Sequence, residues 1–514
     1  MKSINPLLPL VVLFAFLFLG CQKQELKWSS DWVVPLADGE IKMSDLLDEK
    51  FLQVNDQGWY DLVFDTTLDF GVDSLLTIAD TTVQLDYQVP VSVSVPPSVM
   101  LINEVQNQSG LLPDDVQLKA LHLQSGTLHY RIENHIGGPL HCVYSIQRTT
   151  INGWPLIIDV EVDAGNVTTP GVIEGDLDLS HAQFDLTGVT GFLVNDLATT
   201  MQVSASSYAT GNTAVMAGQA VSVEVSFIAP KVSYARGYFG QQEIHIQEAL
   251  SLGKDFPQGE IHLPALSWDC EIQNWMGVDL GMQWNDIHFE RDGQEPLSLN
   301  APGIGQSLAI ARAEDWQGAV NPQLLNLHWD EDNSNLLSVT NYLGGSASID
   351  ANVQLNPLGN MNGTNDFIYP SKMLQIHSKL HAPLAFTAKD LTAEEWLSIQ
   401  WDSKSDWNGS LDFYAENTFP FEADVMVMHE AELLGVIHIG AGGWNEASNK
   451  LVVQESLSSL IVNPRQWEEI KTNGGVRLRW VFNTTDYPHF VSVRPEQYAR
   501  LKITGDVTVQ STIE

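Results

Sequence analysis

Cations are scarce in this chain: 25 Lys and Arg stand against 64 Asp and Glu in 514 residues, a formal net charge of −39. A surface this acidic repels phosphate backbones, which removes nucleic acid as a partner. Cysteine is rarer still, at Cys21, Cys142 and Cys270, with no CxxC and no His/Cys cluster at zinc spacing. Cys142 and Cys270 fall in different stretches of the repeat described below, which predicts two buried free thiols. Long apolar runs are also missing. The one candidate, Leu7 to Leu19, has thirteen residues, too few to span a bilayer comfortably. No βαβ alternation surrounds Gly305-Gln306-Ser307-Leu308-Ala309, so that near-match to a nucleophile elbow lacks its strand-turn-helix setting. His429-Glu430-Ala431-Glu432-Leu433 places Leu433 where a zincin needs its second histidine.

What is present begins at residue 1. MKSINPLLPLVVLFAFLFLGC has the layout of a secretory signal, with Lys2 as the only charge before the apolar run. Gly20 directly before Cys21 resembles the lipobox of bacterial lipoproteins. That resemblance implies a signal peptide over 1–20, acylation of Cys21 as the mature N-terminus, and attachment to a membrane through the lipid. Gln22 stands where lipoproteins kept at the inner membrane often carry Asp, so the resemblance implies the outer membrane.

Beyond residue 80 the chain alternates apolar and polar residues in short runs broken by Gly, Pro, Asn and Asp. Val221-Ser222-Val223-Glu224-Val225 and Ile503-Thr504-Gly505-Asp506-Val507-Thr508-Val509 are typical. Period two at this density means strands with one buried face, and 44% hydrophobic residues are enough to fill their interiors. Helix signals are few. Thr392-Ala393-Glu394-Glu395 reads as a capping box opening a helix near Trp396. Asn463-Pro464 supplies an N-cap and an N1 proline, and Asn473-Gly474-Gly475 a stop. The expected fold class is all-β, in tandem β-sandwich-like units with a few short helices.

Residues 121–144 align without a gap on 261–284, with Asn134 matching Asn274 at an offset of 140. Each asparagine sits between two alternating runs, which predicts a strand, a turn and a returning strand. The looser pattern apolar-x-Asn-x-apolar-[Gly/Pro/Ala] recurs at Asn195, Asn341 and Asn417, with Asn483 a poorer match. Their spacing divides the chain into units at 89–230, 231–372 and 373–514, with 21–88 as lipid tether and N-terminal strand region. Asn tolerates left-handed backbone and bonds to nearby backbone groups, so it reads as a turn-closing device, not a glycan or metal site.

Candidate chemistry is thin. Asp330-Glu331-Asp332-Asn333-Ser334-Asn335 gathers oxygens at alternate positions, so Asp330 and Asp332 are the expected ligands of any structural calcium, although the mid-loop glycine and the glutamate at position 12 are missing. Trp396, Trp401 and Trp407 cluster within twelve residues, and exposed Trp on a sandwich can stack sugar rings. The expected role is therefore a non-enzymatic, lipid-anchored protein that binds or scaffolds a protein or glycan partner. The rival is a carbohydrate-binding or carbohydrate-active lipoprotein resting on those tryptophans. No catalytic residues and no cofactor other than that calcium are expected.

Overall fold

The computed structural model describes residues 26–70, 78–109, 115–252, 258–316, 319–399, 406–430, 432–484 and 489–513. The fold is all-β and every pair of named strands is antiparallel. Twenty-four of the strands fall into three groups of eight, and the same pairing order recurs in each.

In the first group Gln117–Asn134 lies between Gly171–Asp178 and Ala220–Tyr238, and the last of these also pairs with Thr81–Gln88. Its second layer puts Leu140–Ile151 between Trp154–Val162 and Leu197–Ala205, which in turn pairs with Met100–Gln108. In the second group Ser267–Asn274 lies between Gln323–Trp329 and Leu374–Pro383, with Tyr60–Phe70 outermost. Its second layer is Ser307–Ile310, Leu280–Glu290, Ser346–Leu355 and Gln242–Ser251. The third group repeats the scheme with Gln454–Val462, Asp406–Asn417, Tyr498–Ile513 and Leu26–Lys42. There the second layer is Glu432–Ile439, Glu422–His429, Gly475–Asn483 and Ala385–Ser398.

The N-terminal strands are shared out in reverse. Leu26–Lys42 completes the third group, Tyr60–Phe70 the second and Thr81–Gln88 the first. Residues 21–88, expected as tether and N-terminal strand region, thus hold one strand of each group. The expected cut at 230/231 falls inside Ala220–Tyr238, whose far end pairs with Asp366–Ile368 and so links the first and second groups. Gln258–His262, pairing with Ala385–Ser398, links the second and third.

Alternation puts one face of each layer inward. Leu128 and Ile132 of one layer and Leu140 and Cys142 of the other are fully buried. Between the layers of the second group, Trp268 meets Phe289 edge to face with centroids 6.3 Å apart.

The hairpins expected at Asn134 and Asn274 do not form. The strands before and after each asparagine do not pair with each other; the chain crosses from one layer to the other in an arch. The asparagine amide holds the arch. Asn134 Oδ1 accepts from Ile136 N at 2.8 Å, and its Nδ2 donates to Gly138 O at 2.9 Å and Asp163 O at 2.8 Å. Asn274 does the same with Met276 N, Val278 O and Ala311 O. Asn417 repeats it with Phe419 N, Phe421 O and Gly440 O. In each case the most distant acceptor is the first residue past the strand that pairs with the arch's second arm.

The other matches to the asparagine pattern do other work. Asn195 takes positive φ (58°) and bonds Leu118 N and Val116 O across the sheet. Asn341 sits in the 3-10 turn Leu336–Tyr342, and Asn483 ends a strand and accepts from Asp390 N.

Of the two helices expected, Pro464–Asn473 forms as the sequence dictates. Asn463 and Gln466 close a capping box and Gly474 ends the helix at φ 74°. The helix expected near Trp396 is instead part of the strand Ala385–Ser398. Ala and Glu favour helix by a few tenths of a kcal/mol per residue. That preference yields to backbone pairing with Gly475–Asn483 along Thr392 to Trp396, while Gln258–His262 pairs on the other side only as far as Thr392.

Candidate functional site

A cavity of 520 Å³ opens at the second group. Its walls come from both layers, Leu62, Phe64 and Leu380 from one and Phe289 and Ala347 from the other, with Leu252 between them. The segment leading from Leu26–Lys42 to Tyr60–Phe70 contributes Leu47, Asp48, Lys50, Phe51 and Gln53 to its lining. Met43–Leu46 makes one helical turn that buries Met43 and Leu46, and the 3-10 turn Glu49–Phe51 follows. Asp48 caps that turn by accepting from Lys50 N at 3.1 Å. The Lys50 ammonium lies 2.5 Å from the Asp48 carboxylate and holds it below its usual range. The same ammonium sits 4.6 Å over the Phe51 ring, which packs on Phe64 at 4.2 Å.

At the floor Trp268 donates its indole N–H to Ser378 Oγ at 2.8 Å. At the rim Asp65 is tied to His377 at 2.7 Å. The lining is predominantly apolar and aromatic, with a few polar groups placed at mouth and floor, and its volume lies in the range of small-molecule sites. The sequence carried no sign of this cavity, because its walls come from segments more than three hundred residues apart; the apolar stretch around Leu46, Leu47 and Phe51 is the nearest thing to a signal.

The residues singled out from sequence lie elsewhere. Cys21 and Trp401 fall outside the described residues. Trp396 is half-exposed on Ala385–Ser398, opposite Arg477. Trp407 belongs to a different layer, in Asp406–Asn417, where its backbone is opposite Val509. Nothing described brings the two together. Elsewhere Trp284, Trp329, Trp467 and Trp480 are core residues.

Asp330 closes its own loop. Its Oδ1 accepts from Asp332 N at 3.0 Å and Asn333 N at 3.2 Å, and its Oδ2 lies 3.3 Å from His328 Nε2. His328 also meets Asp269 at 2.7 Å, and these carboxylates raise its pKa, the hydrogen bond it donates to Asp269 most. Asp332 enters this network through its backbone amide. Among the described residues no three His, Cys, Asp or Glu side chains converge as a metal set.

His429 ends a strand and Glu430 turns at φ 48°, so the HE pair lies in a β-turn, with His429 bonded to Asn473. Cys142 and Cys270 are free and buried, as expected, and burial pushes each thiol up to about 12.

No family model matches the chain, and no curated protein is similar to it. A crystallised protein of Parabacteroides distasonis, described as secreted, is 15% identical over 69% of this chain and 99% of its own, with a TM-score of 0.18. The VP2 subviral particle of infectious bursal disease virus is 10% identical over 91% of this chain and 86% of its own, at a TM-score of 0.11. Superpositions this poor carry no argument about the present chain.

Proposed function

We propose that this chain is an exported, lipid-anchored protein of the outer membrane with a non-enzymatic binding or scaffolding role, built from one sandwich unit repeated three times. The observation that carries the reading is the N-terminal segment, an apolar run ending at Gly20-Cys21. Four residues separate Cys21 from the strand Leu26–Lys42, so a lipid there would tie the folded body closely to the membrane. The apolar cavity of the second group supports the binding half of the reading, since it offers a preformed apolar site with a polar rim.

The test is Cys21→Ser followed by fractionation of cells expressing the full chain. The expected outcome is loss of the protein from the membrane fraction and its recovery in the soluble fraction. A variant that stays with the membrane contradicts the acylation. The carbohydrate-binding alternative draws on the half-exposed ring of Trp396. A glycan that binds the wild type and is lost in Trp396→Ala would move the reading there.

A further inference from the structure

The third group shows an apolar end. Register places Trp32, Val507, Gly409 and Val462 in one row across its first layer, and Val33, Asp506, Ser410 and Ile461 in the next. Trp32 is 54% exposed, Val33 69% and Ile461 85%. Trp32 and Val33 are consecutive and so belong to opposite faces of a strand, yet both reach solvent. Farther along the same strand Ile41 is buried, and the Asn417 arch stands at the opposite end of the layer from Trp32. Beyond the Trp32 row the strand runs on towards Cys21 as a two-stranded ribbon, Leu26 to Asp31 opposite Ile513 to Thr508. Four residues lie between Cys21 and Leu26, a reach of about 17 Å when fully extended, and Trp32 is eleven residue steps from Cys21, about 37 Å at full extension.

We infer that this end of the third group lies against the lipid surface that holds the anchor, with Trp32, Val33 and Ile461 seated among the headgroups. The inference rests on the acylation of Cys21 proposed above. An indole ring with one polar edge suits the headgroup layer, and Val and Ile contribute apolar area without a donor to satisfy. Asp31 and Asp506 flank these residues and are exposed, so the surface that fits is zwitterionic and not anionic. The first group then lies farthest from the anchor along the chain of links, through Gln258–His262 and Asp366–Ile368.

The test uses the full chain on phosphatidylcholine vesicles with brominated acyl chains, which quench nearby tryptophan emission. The wild type is expected to be quenched relative to unbrominated vesicles, and the quenched fraction to fall about twofold in Trp32→Phe. Trp154→Phe, at an exposed tryptophan of the first group, is expected to change nothing. A second chain has its Cys21 thiol coupled to a maleimide lipid, which the buried Cys142 and Cys270 do not compete for. If the native chain fails to float with vesicles but the coupled chain shows the Trp32-dependent quenching, the acylation reading fails and the membrane-facing end stands. Vesicle-bound chain whose quenching is the same in wild type and Trp32→Phe overturns the inference.

Discussion

Asn274 and Asn341 occupy the same short sequence pattern 67 residues apart in the second group, and they do unlike things. Asn274 is fully buried at an arch, with its amide bonded to one N–H and two carbonyls from three places in the chain. Asn341 lies in a 3-10 turn, where its backbone carbonyl accepts from Arg291. The difference lies in what surrounds them. At an arch the backbone leaves one sheet before it joins the next, so its polar groups have no ladder to bond to. A single buried amide with two donors and an acceptor satisfies three of them. The largely buried 3-10 turn bonds its own backbone, as from Ser338 N to Asn335 O and from Leu343 N to Thr340 O, and Asn341 within it is only partly buried.

The largest effect expected from this comparison is at the arches. Asn134→Ala, Asn274→Ala and Asn417→Ala each orphan one N–H and two carbonyls in the interior, at roughly 1–3 kcal/mol per group. Each is expected to lower stability by about 3 kcal/mol or more in urea unfolding, whereas Asn341→Ala stays within about 0.5 kcal/mol. Equal losses at Asn274 and Asn341 would break the comparison.

A smaller effect separates two arches that look alike in sequence. A Cβ at Gly277 would meet the Phe367 ring at 2.2 Å, while one at Gly137 would meet nothing within 4 Å. Gly277→Ala is expected to cost about 1–3 kcal/mol and Gly137→Ala almost nothing, read from thermal melts.

The smallest effect is a titration. His328 and Asp269 pair across the strand that ends at Asn274. Their bond raises the His328 pKa above its unfolded value, so its small stabilising contribution is complete below about pH 6.5 and is lost as pH rises through the folded value. Both side chains are more than half exposed, which keeps the contribution slight. The imidazole shift followed by NMR should move to lower pH in Asp269→Asn. It should stay in place in Asn274→Ala if that change loosens the arch alone, and drop if the whole strand pair opens.

The sequence made strands, inward faces and the Asn463–Gly474 helix legible because those signals are local: period two, an N-cap, an N1 proline and a left-handed stop. The equivalence of Asn134 and Asn274 was legible for the same reason, and Asn417 was visible as a looser match. Hairpin and arch, by contrast, share one local pattern of two alternating runs around a turn. Which forms depends on partners such as Ala220–Tyr238 and Leu374–Pro383, roughly a hundred residues away. The strand at Trp396 was hidden because helix-favouring Ala and Glu sit where a strand some eighty residues on, Gly475–Asn483, supplies the pairing. The cavity was hidden because no stretch of chain contains more than a few of its walls.

The three groups are completed by the reversed sharing of the N-terminal strands. Cysteine pairs at directly opposite positions test it, since facing Cβ atoms in antiparallel strands come close enough for a disulfide with slight adjustment. The pairs are Val33→Cys with Asp506→Cys, Thr67→Cys with His377→Cys, and Gln84→Cys with Glu224→Cys. Cys142 and Cys270 are buried and stay out of the exchange. Mild oxidation of the folded chain should close all three pairs, read by mass spectrometry of peptic fragments, and leave the crossed pair Val33→Cys with Glu224→Cys open. Closure of the crossed pair, with Val33→Cys and Asp506→Cys remaining apart, would contradict the three-group fold.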